Sequence, residues 1–122
     1  MEKITGLGGV FFRAKDPKAL GEWYEKNFGI TAMSESAAEV WTQEKGPTVF
    51  APFSANTTYY PASQQCMFNF RVNNMDAMLS QLEANGVKIE EEKMNDEIGK
   101  FAWVWDLEGN KIELWEPAPG SK

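Results

Sequence analysis

The residues that could do chemistry gather near the end of the chain. From Lys111 to Glu116 the period of two of a strand puts Lys111, Glu113 and Trp115 on one face and Ile112 and Leu114 on the other. Just upstream, Phe101, Trp103 and Trp105 share a face, with Ala102 and Val104 opposite. Asp106-Leu107-Glu108-Gly109-Asn110 reads as the turn of a hairpin, Gly109 being free to take a positive φ. A single carboxylate, Glu113, therefore shares a face with bulky aromatic rings. Walled by Trp103 and Trp115, it would be partly desolvated and suited to proton transfer. Paired with an arginine, it would be an inert anion.

The arginines are Arg13 and Arg71, the only two in the sequence. As a pair they could fork a carboxylate or phosphate. Against 18 acidic residues they could equally neutralise carboxylates of the chain itself. Histidine is absent and Cys66 is the only cysteine. That removes histidine acid–base catalysis, Ser-His-Asp and Cys-His nucleophiles, histidine metal sites and thiolate zinc sites. Cys66 reads as a small buried residue.

The elements that must position these groups occur twice. Gly6 to Ala14 reads as a strand, with Phe11 and Arg13 on one face and Val10 and Phe12 on the other. Asp16-Pro17 opens a helix with an Asp cap and a proline in the first turn; Leu20, Trp23, Tyr24 and Phe28 form its stripe and Gly29 ends it. Short strands are expected near 30–34, 39–43 and 48–53. Cys66 to Val72 then repeats the first strand, with Met67, Asn69 and Arg71 on one face and Phe68, Phe70 and Val72 on the other. Asn74 caps a second helix through Asn85, closed by Gly86, and strands are expected near 88–93, 101–105 and 111–116. The reading is an α+β chain of two tandem βαβββ modules, about 4–53 and 66–117, joined by a polar linker or flap at about 54–65. The acidic run Ile89 to Lys93 is expected to be a solvated edge strand.

Three stretches in this order resemble the vicinal oxygen chelate superfamily of glyoxalase I, bleomycin-resistance proteins, fosfomycin-resistance enzymes and extradiol dioxygenases. They are VFFRAKDPKALGEWYEKNFGI, FNFRVNNMDAMLSQLEANGV and DLEGNKIELWEP, the last with Leu107 where the family usually has proline. The resemblance implies two curled mixed sheets, each with one main helix, pairing to enclose a cavity. It also implies a homodimer with sites shared between subunits. The metal ligands of the family map onto Gly9, Met67, Phe50 and Glu113, and only Glu113 keeps a ligand group. No cofactor is therefore expected. A thioether such as that of Met67 suits hard cations poorly.

On this arrangement the inner face carries Phe11, Arg13, Phe50, Met67, Asn69, Arg71, Glu113 and Trp115, with Trp41 and Trp103 beside them. Such a mixture of aromatic and polar groups is the make-up of a ligand cavity. The tryptophans could stack on a flat or cationic ligand, or simply fill the cup or a dimer seam. The 122 residues carry a net charge of −6, which disfavours nucleic acid and anionic membrane surfaces. The lone cysteine and the lack of an apolar leader in MEKITG lead us to expect a cytoplasmic protein.

The expected function is binding of a small, partly aromatic molecule without an essential metal, in the manner of the bleomycin-resistance branch. A glyoxalase-type lyase or isomerase using Glu113 as metal ligand or base is the alternative. A structural or interaction protein with a filled cup is a third.

Overall fold

The computed structural model describes residues 1–32 and 40–120. Helix α1 spans Pro17–Phe28, and the side chain of Asp16 accepts from the Ala19 amide at 3.1 Å. Gly29, at φ 71°, closes it in the left-handed conformation that a side chain disfavours. Helix α2 spans Met75–Ala84 and is capped by Asn74. Four strands, β1 Phe68–Arg71, β2 Met94–Asp96, β3 Gly99–Trp105 and β4 Lys111–Pro117, form one mixed sheet in the order β1-β4-β3-β2. β1 runs parallel to β4; β3 is antiparallel to both β4 and β2.

The sheet's two faces are divided as alternation demands. Ala102, Val104, Ile112 and Leu114 turn to the helices and form a core with Leu20, Tyr24, Val72, Met75 and Leu82. Phe101, Trp103 and Trp115 form a second cluster on the opposite face, with Tyr59 and Met67 against it. Helix α1 thus joins the core built on the second half's sheet. The two halves meet through equivalent residues. Asn85 Nδ2 donates to Asn27 Oδ1 at 3.0 Å, 58 residues away, the spacing that also separates the two arginines.

Two carboxylates lock the hairpin end to the helix starts. Glu108 in the β3–β4 turn accepts from the amides of Lys15 and Asp16, at 2.8 and 2.9 Å. Glu116 accepts from the amide of Met75 at 2.7 Å. Both place a negative charge where α-helix amides are unpaired. Asp106 organises the turn, accepting from the amides of Glu108 and Asn110 and from the phenol of Tyr24 at 2.7 Å. Burial first, then the bond to Asp106, holds the Tyr24 phenol far above its ordinary pKa.

The first half departs from the expected strands. Residues 6–14, 30–32, 40–43 and 48–53 lie in no strand, and 33–39 fall outside the described residues. A ladder requires a neighbouring backbone, which alternation alone does not supply. Phe11 and Phe50 are 89% and 84% exposed, so among the described residues no second layer covers them. The run 88–93 is also not a strand: Ile89 makes one bridge to Val104, and the ladder resumes only at Met94. Lys93 Nζ bonds the carbonyls of Glu90 and Glu91, which removes them from pairing. Cys66 is exposed rather than buried, just ahead of β1. Among the described residues no helix is long and apolar enough to cross a membrane.

Candidate functional site

Glu113 is the hub of the inner face. It lies at the middle of β4, where register sets Asn69 of β1 on one side and Trp103 of β3 on the other. Same-face neighbours on adjacent strands are close enough for their side chains to meet. Asn69 Nδ2 donates to Glu113 Oε1 at 2.7 Å, and Trp103 Nε1 donates to Oε2 at 3.0 Å. The phenol of Tyr59 donates to the same Oε2. Glu113 is 8% exposed and Trp103 7%, whereas Asn69 is exposed, so the hub opens at the edge strand β1.

An arginine partner is not what holds this carboxylate. Three uncharged donors do, and hydrogen bonds to an ionised acceptor are stronger than neutral ones. A cation, Lys111, lies beside two of these donors. Its ammonium donates to the Tyr59 carbonyl at 2.8 Å and lies 5.5 Å from the Tyr59 ring and 5.7 Å from the Trp103 ring. Burial, and then the bond to Glu113, raises the Tyr59 phenol well above its usual range.

The structure brings Met67, Asn69, Trp103, Glu113 and Trp115 onto one face. Trp115 stacks against Phe101 with ring planes 4° apart and donates its indole N–H to the Ile98 carbonyl at 2.9 Å, so it is a wall of the site. Among the described residues Arg71 bonds no acid. Its guanidinium donates to the carbonyls of Glu44 and Pro47, at 2.7 and 2.5 Å, pinning that segment over the sheet edge. Arg13, Phe11, Trp41 and Phe50 are exposed and do not join Glu113 within the chain. Among the described residues the one ion pair is Lys100 with Glu116, at 4.0 Å.

Sequence reasoning missed Tyr59 and Lys111. Tyr59 lies in the polar stretch read as a flap, where an aromatic pair, Tyr59-Tyr60, was the available signal. Gln64 anchors that stretch by bonding both the amide and the carbonyl of Lys111, at 2.7 and 3.2 Å, as a neighbouring strand would. Two shallow surface hollows, of about 360 and 430 Å³, are lined by neither Glu113 nor its partners.

The donor set does not fit a catalytic metal. Of the four mapped positions, Gly9 has no side chain, Phe50 has no donor and Met67 offers a thioether. Both oxygens of Glu113 are engaged by protein donors. Among the described residues no group of three or more His, Cys, Asp or Glu gathers to hold an ion.

A helix pair backs a mixed sheet, with a carboxylate at the centre of its last strand's inner face, an arrangement in keeping with the vicinal oxygen chelate class of fold. The chain belongs to the Glyoxalase/Bleomycin resistance protein/Dioxygenase superfamily, whose family profile matches residues 6–114. Among solved structures it is similar to TnmS3, an antibiotic binding protein from Streptomyces sp. CB03234, with TM-score 0.66, 17% identity and coverage of 97% of this chain and 100% of that one. It is similar to the integron cassette protein VCH_CASS1 of V. cholerae, with TM-score 0.64, 20% identity and coverage of 97% and 99%. It is also similar to the fosfomycin resistance protein FosX of Listeria monocytogenes, with TM-score 0.61, 14% identity and coverage of 95% and 94%. At these identities the likeness is one of fold. No curated protein sequence matches the chain.

Proposed function

We propose that the chain binds a small, partly aromatic molecule on the Glu113 face, without an essential metal. The observation that carries this reading is the carboxylate itself: half enclosed by Trp103 and Tyr59, satisfied by uncharged donors, and open at Asn69. Such an arrangement orients a ligand by hydrogen bonds between apolar walls. The donors on both oxygens also weigh against Glu113 as the base or metal ligand of a glyoxalase-type lyase or isomerase. The antibiotic binding described for TnmS3 is in keeping with a binding role. The site is completed by a second copy in this reading. Val10, Phe11, Val49 and Phe50 are exposed apolar residues that a homodimer would cover, and they sit in the half from which inner-face residues are missing. A cytoplasmic setting goes with it.

One observation favours a second reading, a filled cup with a structural role. Phe101, Trp103 and Trp115 are already buried within the chain, beneath Tyr59 and Met67. The test is elemental analysis with thermal shift against a divalent-metal panel, then tryptophan fluorescence with neutral aromatics, cationic aromatics and carboxylates, and light scattering for mass. Binding with no stoichiometric metal, in a dimer, is the expected result. A bound metal, or a melting temperature that chelator lowers, would restore the lyase reading. A folded protein that binds none of the panel would leave the filled cup.

A further inference from the structure

Tyr59 is unlike the other partners of Glu113. Trp103 and Asn69 come from strands, whereas Tyr59 reaches in from a segment without helix or strand. The backbone of that segment is held in place. A turn closes where the Thr57 amide bonds the Ser54 carbonyl at 3.0 Å, Lys111 Nζ bonds the Tyr59 carbonyl, and Gln64 clasps the Lys111 backbone. Between these anchors the Tyr59 ring is half-buried, edge-on to Trp103 at 6.1 Å and to Phe53 at 5.5 Å. The phenol is the ring's hydrogen bond to the sheet, on Glu113 Oε2, while the Tyr59 carbonyl accepts from Lys111 Nζ at 2.8 Å. Were the ring to swing away, Trp103, Asn69 and Glu113 would keep their places, because the strand ladders fix them. The vacated position is a hydrogen-bond acceptor beside an indole face, with the Lys111 ammonium near it.

We propose that Tyr59 is a built-in occupant of the site, and that the ligand replacing it is an uncharged aromatic bearing an O–H or N–H donor, a phenol in the simplest case. The inference rests on the binding reading above and narrows it. Three constraints define the class. A replacement must donate to Glu113, since an acceptor there would set oxygen against oxygen. An anion would meet the Glu113 charge, and a cation would meet Lys111. A flat ring is required to fill the space edge-on to Trp103 that the tyrosine ring now fills.

The experiment titrates the chain and its Tyr59→Phe variant with 2-naphthol and with 2-methoxynaphthalene, which lacks the donor. The readout is the Trp103 indole N–H resonance, assigned with Trp103→Phe. The native chain is expected to prefer the naphthol by about tenfold, the worth of one hydrogen bond to a charged acceptor. Tyr59→Phe is expected to bind the naphthol about tenfold more tightly, because the internal competitor has lost that bond. Equal affinity for naphthol and ether would overturn the inference and leave the binding reading intact, and so would a Tyr59→Phe affinity equal to that of the native chain. Binding of other panel compounds but not of naphthol would do the same. No binding of any compound by the folded native chain would remove both. The naphthol–ether comparison uses the native chain and holds whatever the variant's stability.

Discussion

Replacing Tyr24 by Phe removes one oxygen and tests how α1 is fastened to the hairpin. Tyr24 is 5% exposed, and its phenol donates to Asp106 Oδ2 at 2.7 Å across 82 residues of sequence. Asp106 keeps its bonds from Glu108 and Asn110, so the variant leaves no carboxylate unpartnered. A hydrogen bond to a charged group contributes about 1.5–3 kcal/mol, so Tyr24→Phe should cost roughly 2 kcal/mol near neutral pH. For a domain of this size that is a fall in melting temperature of roughly 6–10 °C.

The pH dependence adds a second signature. The folded-state phenol is raised above its unfolded value near 10, so its contribution is whole below about pH 10 and is lost as pH rises beyond that. Each pH unit above 10 removes about 1.4 kcal/mol from the native chain and none from the variant at this position. The gap between them should therefore shrink to about 0.6 kcal/mol near pH 11. Urea unfolding followed by tryptophan fluorescence and circular dichroism, at about pH 7.5 and then up to pH 11, measures both. A variant as stable as the native chain at neutral pH, or a gap that widens with alkali, would refute the reasoning.

Other substitutions probe the remaining links. Gly99→Ala should destabilise by about 3 kcal/mol or more, read by urea unfolding: φ is 140°, and a Cβ there would strike the Glu116 carbonyl and crowd Trp115 Nε1 at 2.8 Å. Arg71→Ala should cost about 1–2 kcal/mol and speed proteolysis around 44–48, because the carbonyls of Glu44 and Pro47 lose their donor. Exposed Arg13→Ala should move stability by less than about 0.5 kcal/mol in the same assay. Glu108→Ala should lower stability by roughly 1–2 kcal/mol and raise amide exchange at Lys15 and Asp16, whose N–H groups it holds.

Much of the fold was legible because it is local. Asp16 and Asn74 cap the helices that their types and the following stripes indicate. Gly109, at φ 84°, lies in the turn between β3 and β4, and the alternation across that hairpin assigns Trp103 and Glu113 to one face and Val104 and Ile112 to the other. The first-half strands were the loss. Val10-Phe11-Phe12 and Val49-Phe50 carry a strand's composition, yet among the described residues no backbone pairs with them. Composition records what a segment would bury, and pairing is decided by what lies next to it.

The site divides in the same way. Sequence by itself determined that a carboxylate shares a face with tryptophans, that histidine chemistry and thiolate zinc sites are absent, and that two helix-bearing halves repeat. These follow from residue type and a two-residue or helical period, which act over a few neighbours. Only the tertiary structure decided which groups hold that carboxylate. Asn69 and Trp103 reach Glu113 through strand register, Tyr59 through a loop 54 residues away, and Arg71 spends its donors on backbone carbonyls. Partners brought together by chain closure leave no periodic trace, since nothing in local spacing encodes the distance between residues far apart in sequence.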